Sequence, residues 1–131
     1  MLPRVLLVED DEVIREIYAM KFKLEGFAIA TAENGLIGLE IVQHFQPQII
    51  LLDMMMPVMG GLDFMRKLSA AMPELPHVVV FSNISATHQV DSIMRLGAKA
   101  YWVKSDYTPE RCVRELSKLW RDSGNVGSGA S

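Results

Sequence analysis

The chain has 131 residues, 50% of them hydrophobic and 22% charged, with a formal net charge of −3. That balance suits one domain with a real core and excludes a disordered chain and a fibre, and the net charge argues weakly against a nucleic-acid surface while leaving room for a local basic patch. The one cysteine, Cys112, excludes an internal disulfide and fits a reducing compartment; the first apolar run, Val5 to Val8, is too short for a leader core or a membrane span, so a cytoplasmic globular protein is expected.

Short apolar runs alternate with amphipathic stretches. The runs are Val5–Val8, Phe27–Ala30, Ile49–Leu52, Val78–Phe81 and Ala100–Val103. Runs without polar alternation predict strands buried on both faces of a parallel sheet. Between the first two, Val13, Ile17, Met20 and Leu24 repeat at helical spacing, with Asp11 as the expected N-cap and Gly26 as the stop. Asn34-Gly35 opens a second helix whose apolar face includes Leu39 and Val42. Gly61 precedes a third, with Phe64, Met65 and Leu68 inward. Val90, Ile93 and Met94 mark a fourth, ending near Gly97. Thr108-Pro109 starts a fifth, with Cys112, Val113, Leu116, Leu119 and Trp120 on its inner face. Strict alternation of five strands and five helices predicts an α/β fold, a doubly wound parallel sheet with right-handed crossovers. Residues 1–121 read as one domain, and the small polar residues 122–131 as a flexible tail or the start of a linker.

In an open α/β sheet, ligands bind beyond the carboxyl ends of the strands. The residues leaving those ends are Glu9, Asp10 and Asp11 after the first run, Asp53 after the third, Ser82 and Asn83 after the fourth and Lys104 after the fifth. Neighbouring carboxylates repel, and a divalent cation resolves the conflict; magnesium prefers oxygen ligands and pairs one or two carboxylates with phosphate oxygens. A lysine and a hydroxyl at the same edge supply the positive charge and the donor that a transferring phosphoryl group requires, and aspartate is a known covalent acceptor of phosphate. Taken singly, these residues read as a turn acid, a loop hydroxyl and a surface charge; Asp11 is expected to cap a helix rather than bind metal. Their coincidence at one edge carries the reading. No Gly-x-x-x-x-Gly-Lys or Gly-x-Gly-x-x-Gly loop is present. His44, His77 and His88 lack metal-ligand spacing and are expected at the surface, Cys112 in the core, and Met54, Met55 and Met56 in packing and loop positions.

Four segments resemble the receiver domain of two-component response regulators, the family of the chemotaxis regulator. They are Val5-Leu6-Leu7-Val8-Glu9-Asp10-Asp11, Ile50-Leu51-Leu52-Asp53-Met54-Met55-Met56-Pro57, Val79-Val80-Phe81-Ser82 and Gly97-Ala98-Lys99-Ala100-Tyr101-Trp102-Val103-Lys104. The resemblance spans about residues 3–121 and implies the flavodoxin-like strand order 2-1-3-4-5. It implies Asp53 as phosphoacceptor; a Mg2+ ion held by Asp10 directly, Glu9 through water, Asp53 and the backbone carbonyl of Met55; Ser82 as switch hydroxyl, Tyr101 as switch aromatic and Lys104 as the phosphate-pairing lysine. The implied donor is a sensor histidine kinase or a histidine phosphotransfer protein. A downstream protein partner reads the face of helix four, strand five and helix five after Ser82 and Tyr101 move. The implied role is a phosphoacceptor signalling domain that catalyses its own phosphorylation and slow autodephosphorylation rather than an enzyme with a separate substrate, working as a monomer or a phosphorylation-dependent dimer, off the membrane and without binding nucleic acid itself.

Three departures from the family pattern stand out. Ser105 follows Lys104 where the family has proline, so the Lys104–Ser105 peptide is expected trans, a non-prolyl cis bond costing about 3 kcal/mol. Asn83 follows the switch hydroxyl where a small residue is usual. Gly60 and Gly61 occupy the turn after Met56-Pro57 and are expected to loosen it. Met55 and Ile84, both apolar, fall where the family flanks the approach of a hydrolytic water, so a long-lived phosphoryl group is expected. Two rival readings are a receiver-like module that is never phosphorylated and a flavodoxin-like cofactor binder; the intact acid, hydroxyl and lysine set opposes the first, and acids in place of a Ser, Thr and Gly loop oppose the second.

Overall fold

The computed structural model describes residues 2–83 and 87–125, without the side chains of Thr87, His88 and Asn125. Five strands, β1 (Arg4–Val8), β2 (Ala28–Ala32), β3 (Ile49–Leu52), β4 (His77–Ser82) and β5 (Ala100–Val103), alternate with α1 (Glu12–Leu24), α2 (Gly35–Phe45), α3 (Gly61–Ala71), α4 (Thr87–Arg95) and α5 (Pro109–Trp120). All pairings are parallel, as the alternation of elements predicted, in the order β2-β1-β3-β4-β5 that the family resemblance implied.

The continuous apolar runs fill both faces of the central strands. Leu6, Val8, Ile50, Leu52, Val78 and Val80 point to the side covered by α2, α3 and α4, against Val42, Phe64, Met65, Leu68 and Ile93. Their neighbours Val5, Leu7, Ile49, Leu51, Val79 and Phe81 point to α1 and α5, against Tyr18, Phe22, Cys112, Val113 and Leu116. The period of two along each strand thus feeds two separate cores. Local chemistry sets the helix starts: Asp11 accepts from the Ile14 N–H at 3.0 Å, Asn34 from Ile37 at 2.9 Å and Thr108 from Arg111 at 3.1 Å, with Pro109 at the first helical position.

One helix faces the other way from its sequence pattern. Val13, Ile17, Met20 and Leu24 are 63%, 50%, 64% and 76% exposed, so the apolar stripe of α1 lies in solvent. The buried face is Ile14, Tyr18 and Phe22. Helical spacing permits either stripe. The aromatic face prevails because Tyr18 packs on Phe81 (centroids 5.3 Å apart) and donates its hydroxyl to the Tyr107 carbonyl, while Phe22 meets Phe27 edge to face. Specific geometry rather than total apolar area decides, an aromatic pair adding about 0.5–1.5 kcal/mol beyond its area burial.

Two smaller expectations also change. His77 is half-buried rather than at the surface: its ring packs on Trp120, with centroids 5.6 Å apart. The expected tail begins with a further helical turn, Arg121–Asn125, within which Gly124 takes a left-handed φ of 87°. Residues 126–131 of that tail lie outside the described residues.

Candidate functional site

Strand register brings the acids together. Val8 pairs with Leu52, so Glu9 and Asp53 leave the sheet side by side at its carboxyl edge. The Glu9 N–H donates to the Ala32 carbonyl and the Asp53 N–H to the Val8 carbonyl, which fixes both backbones. Ser82 is the last residue of β4, and Lys104 follows Val103, its partner in β5.

The Asp53 side chain is buried and held at both oxygens. Oδ1 accepts from the Met54 N–H at 2.7 Å and from the Ser82 hydroxyl at 2.9 Å. Oδ2 lies 3.2 Å from the Lys104 ammonium. The same ammonium sits 2.5 Å from Glu9 Oε1. Glu9 is 1% exposed; its Oε2 accepts from the Asp11 N–H at 3.0 Å, and Oε1 meets the lysine alone among the described residues. Burial pushes the Glu9 carboxyl up to about 7, against the lowering effect of Lys104. Burial also works to lower the Lys104 ammonium, but the Glu9 hydrogen bond and the Asp53 field outweigh it and the lysine is raised, so it stays cationic.

Glu9, Asp10 and Asp53 offer carboxylate oxygens that all lie within 4.8 Å of one another, two of the residues buried and Asp10 exposed. Three hard oxygen donors, one still open to water, are the set magnesium favours. A buried Glu9 oxygen with only an ammonium for company fits a second cation at this edge. Met55 stands two residues after Asp53 in the same loop, with its side chain 62% exposed.

Tyr101 is half-buried, and its hydroxyl donates to the Ser82 carbonyl at 3.4 Å. The Ser82 hydroxyl rests directly on Asp53 Oδ1, so the inward motion expected of it has no distant starting point. The site residues expected from the sequence thus converge, except that the structure does not fix the Met55 carbonyl as a ligand.

Three features were not foreseen. The Arg15 guanidinium donates to the carbonyls of Glu9 at 2.8 Å and Asp10 at 3.3 Å, clamping the acidic loop from the first turn of α1. Gly60 and Gly61 tighten the turn after Pro57 instead of loosening it: the Gly61 N–H donates to the Met54 carbonyl at 2.9 Å, and a Cβ on Gly60 would stand 2.9 Å from that same oxygen. Small size is needed there because α3 begins directly on the backbone of Asp53 and Met54. Finally, Asn83 and Ser105 touch each other: the Ser105 N–H donates to Asn83 Oδ1 at 2.9 Å. The Lys104–Ser105 peptide is trans, no cis bond occurring among the described residues. Ile84 lies outside the described residues.

The sequence pattern of the response regulator receiver domain matches residues 5–115. The probable transcriptional regulatory protein TcrX of Mycobacterium tuberculosis is 30% identical over 128 residues, which cover 96% of this chain and 54% of that protein. The cell cycle transcriptional regulator CtrA of Caulobacter vibrioides is 29% identical over 128 residues, 95% of this chain and 54% of that protein. The chain spans about half the length of the curated relatives it matches. In structure it resembles a CheY-like response regulator receiver domain protein from Methanospirillum hungatei, with a TM-score of 0.85 at 20% identity over 97% of this chain and 100% of that one. At that identity the likeness speaks for the fold alone. The family match over residues 5–115 falls on the sheet whose edge gathers Glu9, Asp10 and Asp53, and the chain belongs to the response regulator receiver domain family of two-component signalling.

Proposed function

We propose that this chain accepts a phosphoryl group on Asp53 from a phosphohistidine donor and passes the change to its surface. The observation that carries the reading is the grip on Asp53: Ser82 on one oxygen, Lys104 on the other, and two further carboxylates within 4.8 Å. Glu9, Asp10, Asp53 and the Met55 carbonyl are the residues for magnesium, which supplies positive charge to the phosphoryl oxygens when bound. An Asp53 carboxylate oxygen forms the new O–P bond as the P–N bond to the donor imidazole breaks, and the electron pair leaves on the ring nitrogen. The Lys104 ammonium pairs with the phosphoryl charge that Asp53 gains. The Ser82 hydroxyl moves its hydrogen bond from the carboxylate to a phosphoryl oxygen. Tyr101, tied to the Ser82 carbonyl, follows that loop, so the population of packings shifts along α4, β5 and α5, where a protein partner reads it.

The donor's approach is supported by α1. Its exposed stripe of Val13, Ile17, Met20 and Leu24 starts two residues after Asp11, and Met55 and Val58, 62% and 77% exposed, offer further apolar surface in the segment that follows Asp53. A sensor histidine kinase or a histidine phosphotransfer protein docking there brings its imidazole over Asp53. No described helix is long and apolar enough to cross a membrane. Residues 1–121 act as the receiver unit in the cytoplasm, as a monomer or a phosphorylation-dependent dimer.

The test is incubation with acetyl phosphate and magnesium, followed by intact mass and hydroxylamine treatment. An acid-stable, hydroxylamine-labile phosphate lost in Asp53→Asn is expected. Labelling of that variant at the wild-type level removes the assignment, and no labelling of wild type favours an unphosphorylated interaction module.

A further inference from the structure

Asn83 and Ser105 each follow a residue that holds Asp53. Asn83 comes after Ser82, whose hydroxyl donates to Asp53 Oδ1 at 2.9 Å; Ser105 comes after Lys104, whose ammonium donates to Asp53 Oδ2 at 3.2 Å. The bond from the Ser105 N–H to Asn83 Oδ1, 2.9 Å long, closes these pieces into one ring. The ring runs from one oxygen of Asp53 through Ser82 and Asn83, across to Ser105 and Lys104, and back to the other oxygen.

The bond is placed where backbone pairing has stopped. β4 and β5 pair up to Ser82 and Val103, and the Asn83 side chain supplies one more rung beyond them. Its donor has need of it. Ser105 lies in the first turn of a short 3-10 helix, Lys104–Asp106, where N–H groups find no acceptor within the helix. A proline at 105 has no N–H to give, and an alanine at 83 has no oxygen to receive it. The two residues that depart from the family pattern therefore suit each other. Because Oδ1 takes a donor, the other end of the Asn83 amide is left as a donor only, and it has no basic atom to take a proton from water.

We propose that Asn83 is a positioning residue for phosphoryl transfer to Asp53: its amide oxygen ties the loop after β4 to the loop after β5, so that Ser82 and Lys104 meet the phosphoryl group as one unit. Without the tie, the lysine and hydroxyl loops move independently, and the fraction of encounters with both in place falls. The donor molecule itself makes no contact with the tie, so the loss appears in the maximal rate and leaves half-saturation by the donor unchanged. The Ser105 side chain takes no part, since its backbone carries the bond. The inference rests on Asp53 as the phosphoacceptor.

The experiment uses the full chain with magnesium and acetyl phosphate, wild type beside Asn83→Ala, Ser105→Ala, Ser105→Pro and the double variant Asn83→Ala with Ser105→Pro. Both positions are exposed, so all should fold; melting curves check this. Asn83→Ala should lower the saturating phosphorylation rate about three- to tenfold with half-saturation unchanged, the size expected for partial loss of orientation. Ser105→Ala should match wild type. The double variant should be no slower than Ser105→Pro alone, because both changes remove the same bond. The Ser105 amide should exchange faster with solvent in Asn83→Ala and remain slow in Asn83→Asp, which keeps the acceptor. A labelled wild type with Asn83→Ala at the same rate, or additive losses in the double variant, overturns the positioning role alone. A wild type that takes no phosphate overturns the phosphoacceptor reading and this inference with it.

Discussion

A Cβ added to Gly61 would overlap the carbonyl oxygen of Asp53. The start of α3 is thus seated on the backbone of Asp53, with the Gly61 N–H on the Met54 carbonyl at 2.9 Å. Gly61→Ala should destabilise the chain by about 1–3 kcal/mol, the usual cost of forcing extra volume into a packed place. The obstacle is backbone, which cannot rotate aside as a flexible side chain can. Asp53 should also be displaced from Lys104, so phosphorylation should slow beyond what the loss of folded protein explains. Urea unfolding and labelling of the folded fraction measure the two effects separately.

Magnesium should raise the melting temperature, because a ligand of the folded state alone shifts unfolding by mass action. Asp10→Ala should remove most of that rise. Asp10 is the exposed member of the acid set, so its replacement leaves the metal-free protein close to wild type in stability. A variant that responds to magnesium as wild type does takes Asp10 out of the ligand set.

The two stripes of α1 make opposite predictions. Phe22 is fully buried, and Phe22→Ala should cost about 3–5 kcal/mol, the range for a large ring lost from a core. Ile17→Lys and Met20→Lys, at positions 50% and 64% exposed, should change stability by no more than about 0.5 kcal/mol. If the stripe receives the donor protein, the lysine variants should still accept phosphate from acetyl phosphate while losing transfer from a histidine phosphotransfer protein. Thermal melts of the three variants decide which face is inside.

These contrasts mark how much the sequence could tell. Strands β3 and β5 match their apolar runs residue for residue, and the caps at Asp11, Asn34 and Thr108 lie where local side-chain chemistry puts them. The site acids, Ser82 and Lys104 were legible because a parallel sheet sends the residue after each strand to one edge. The inner face of α1 was not, since its sequence carries two stripes at helical spacing and only contact with Phe81, Phe27 and Tyr107 chooses between them. The partnership of Asn83 with Ser105 depends on the register of β4 and β5, and the tightness at Gly61 on where α3 meets the β3 end. Neither has a signature in spacing along the chain.

His77 should give the chain a pH dependence away from the acidic cluster. Its ring packs on Trp120 near the end of α5, and its Nδ1 is buried without a hydrogen-bond partner among the described groups. Burial, and to a lesser degree the Lys99 charge, lower its basicity below the ordinary value of 6.5. The unfolded chain therefore binds a proton at a higher pH than the folded chain does. The contribution of neutral His77 to stability is fully present above about pH 6.5, and it is lost as the pH falls through the lower folded value. Over pH 7.5 to 5.5 the Glu9 carboxyl, raised to about 7, adds a slope of opposite sign, but it is common to wild type and His77→Phe, so the difference between them isolates His77. His77→Phe keeps a ring against Trp120 and has nothing to protonate. Urea midpoints should fall more over that window for wild type than for His77→Phe. Equal slopes would show that the His77 ring protonates in place without disturbing the end of α5.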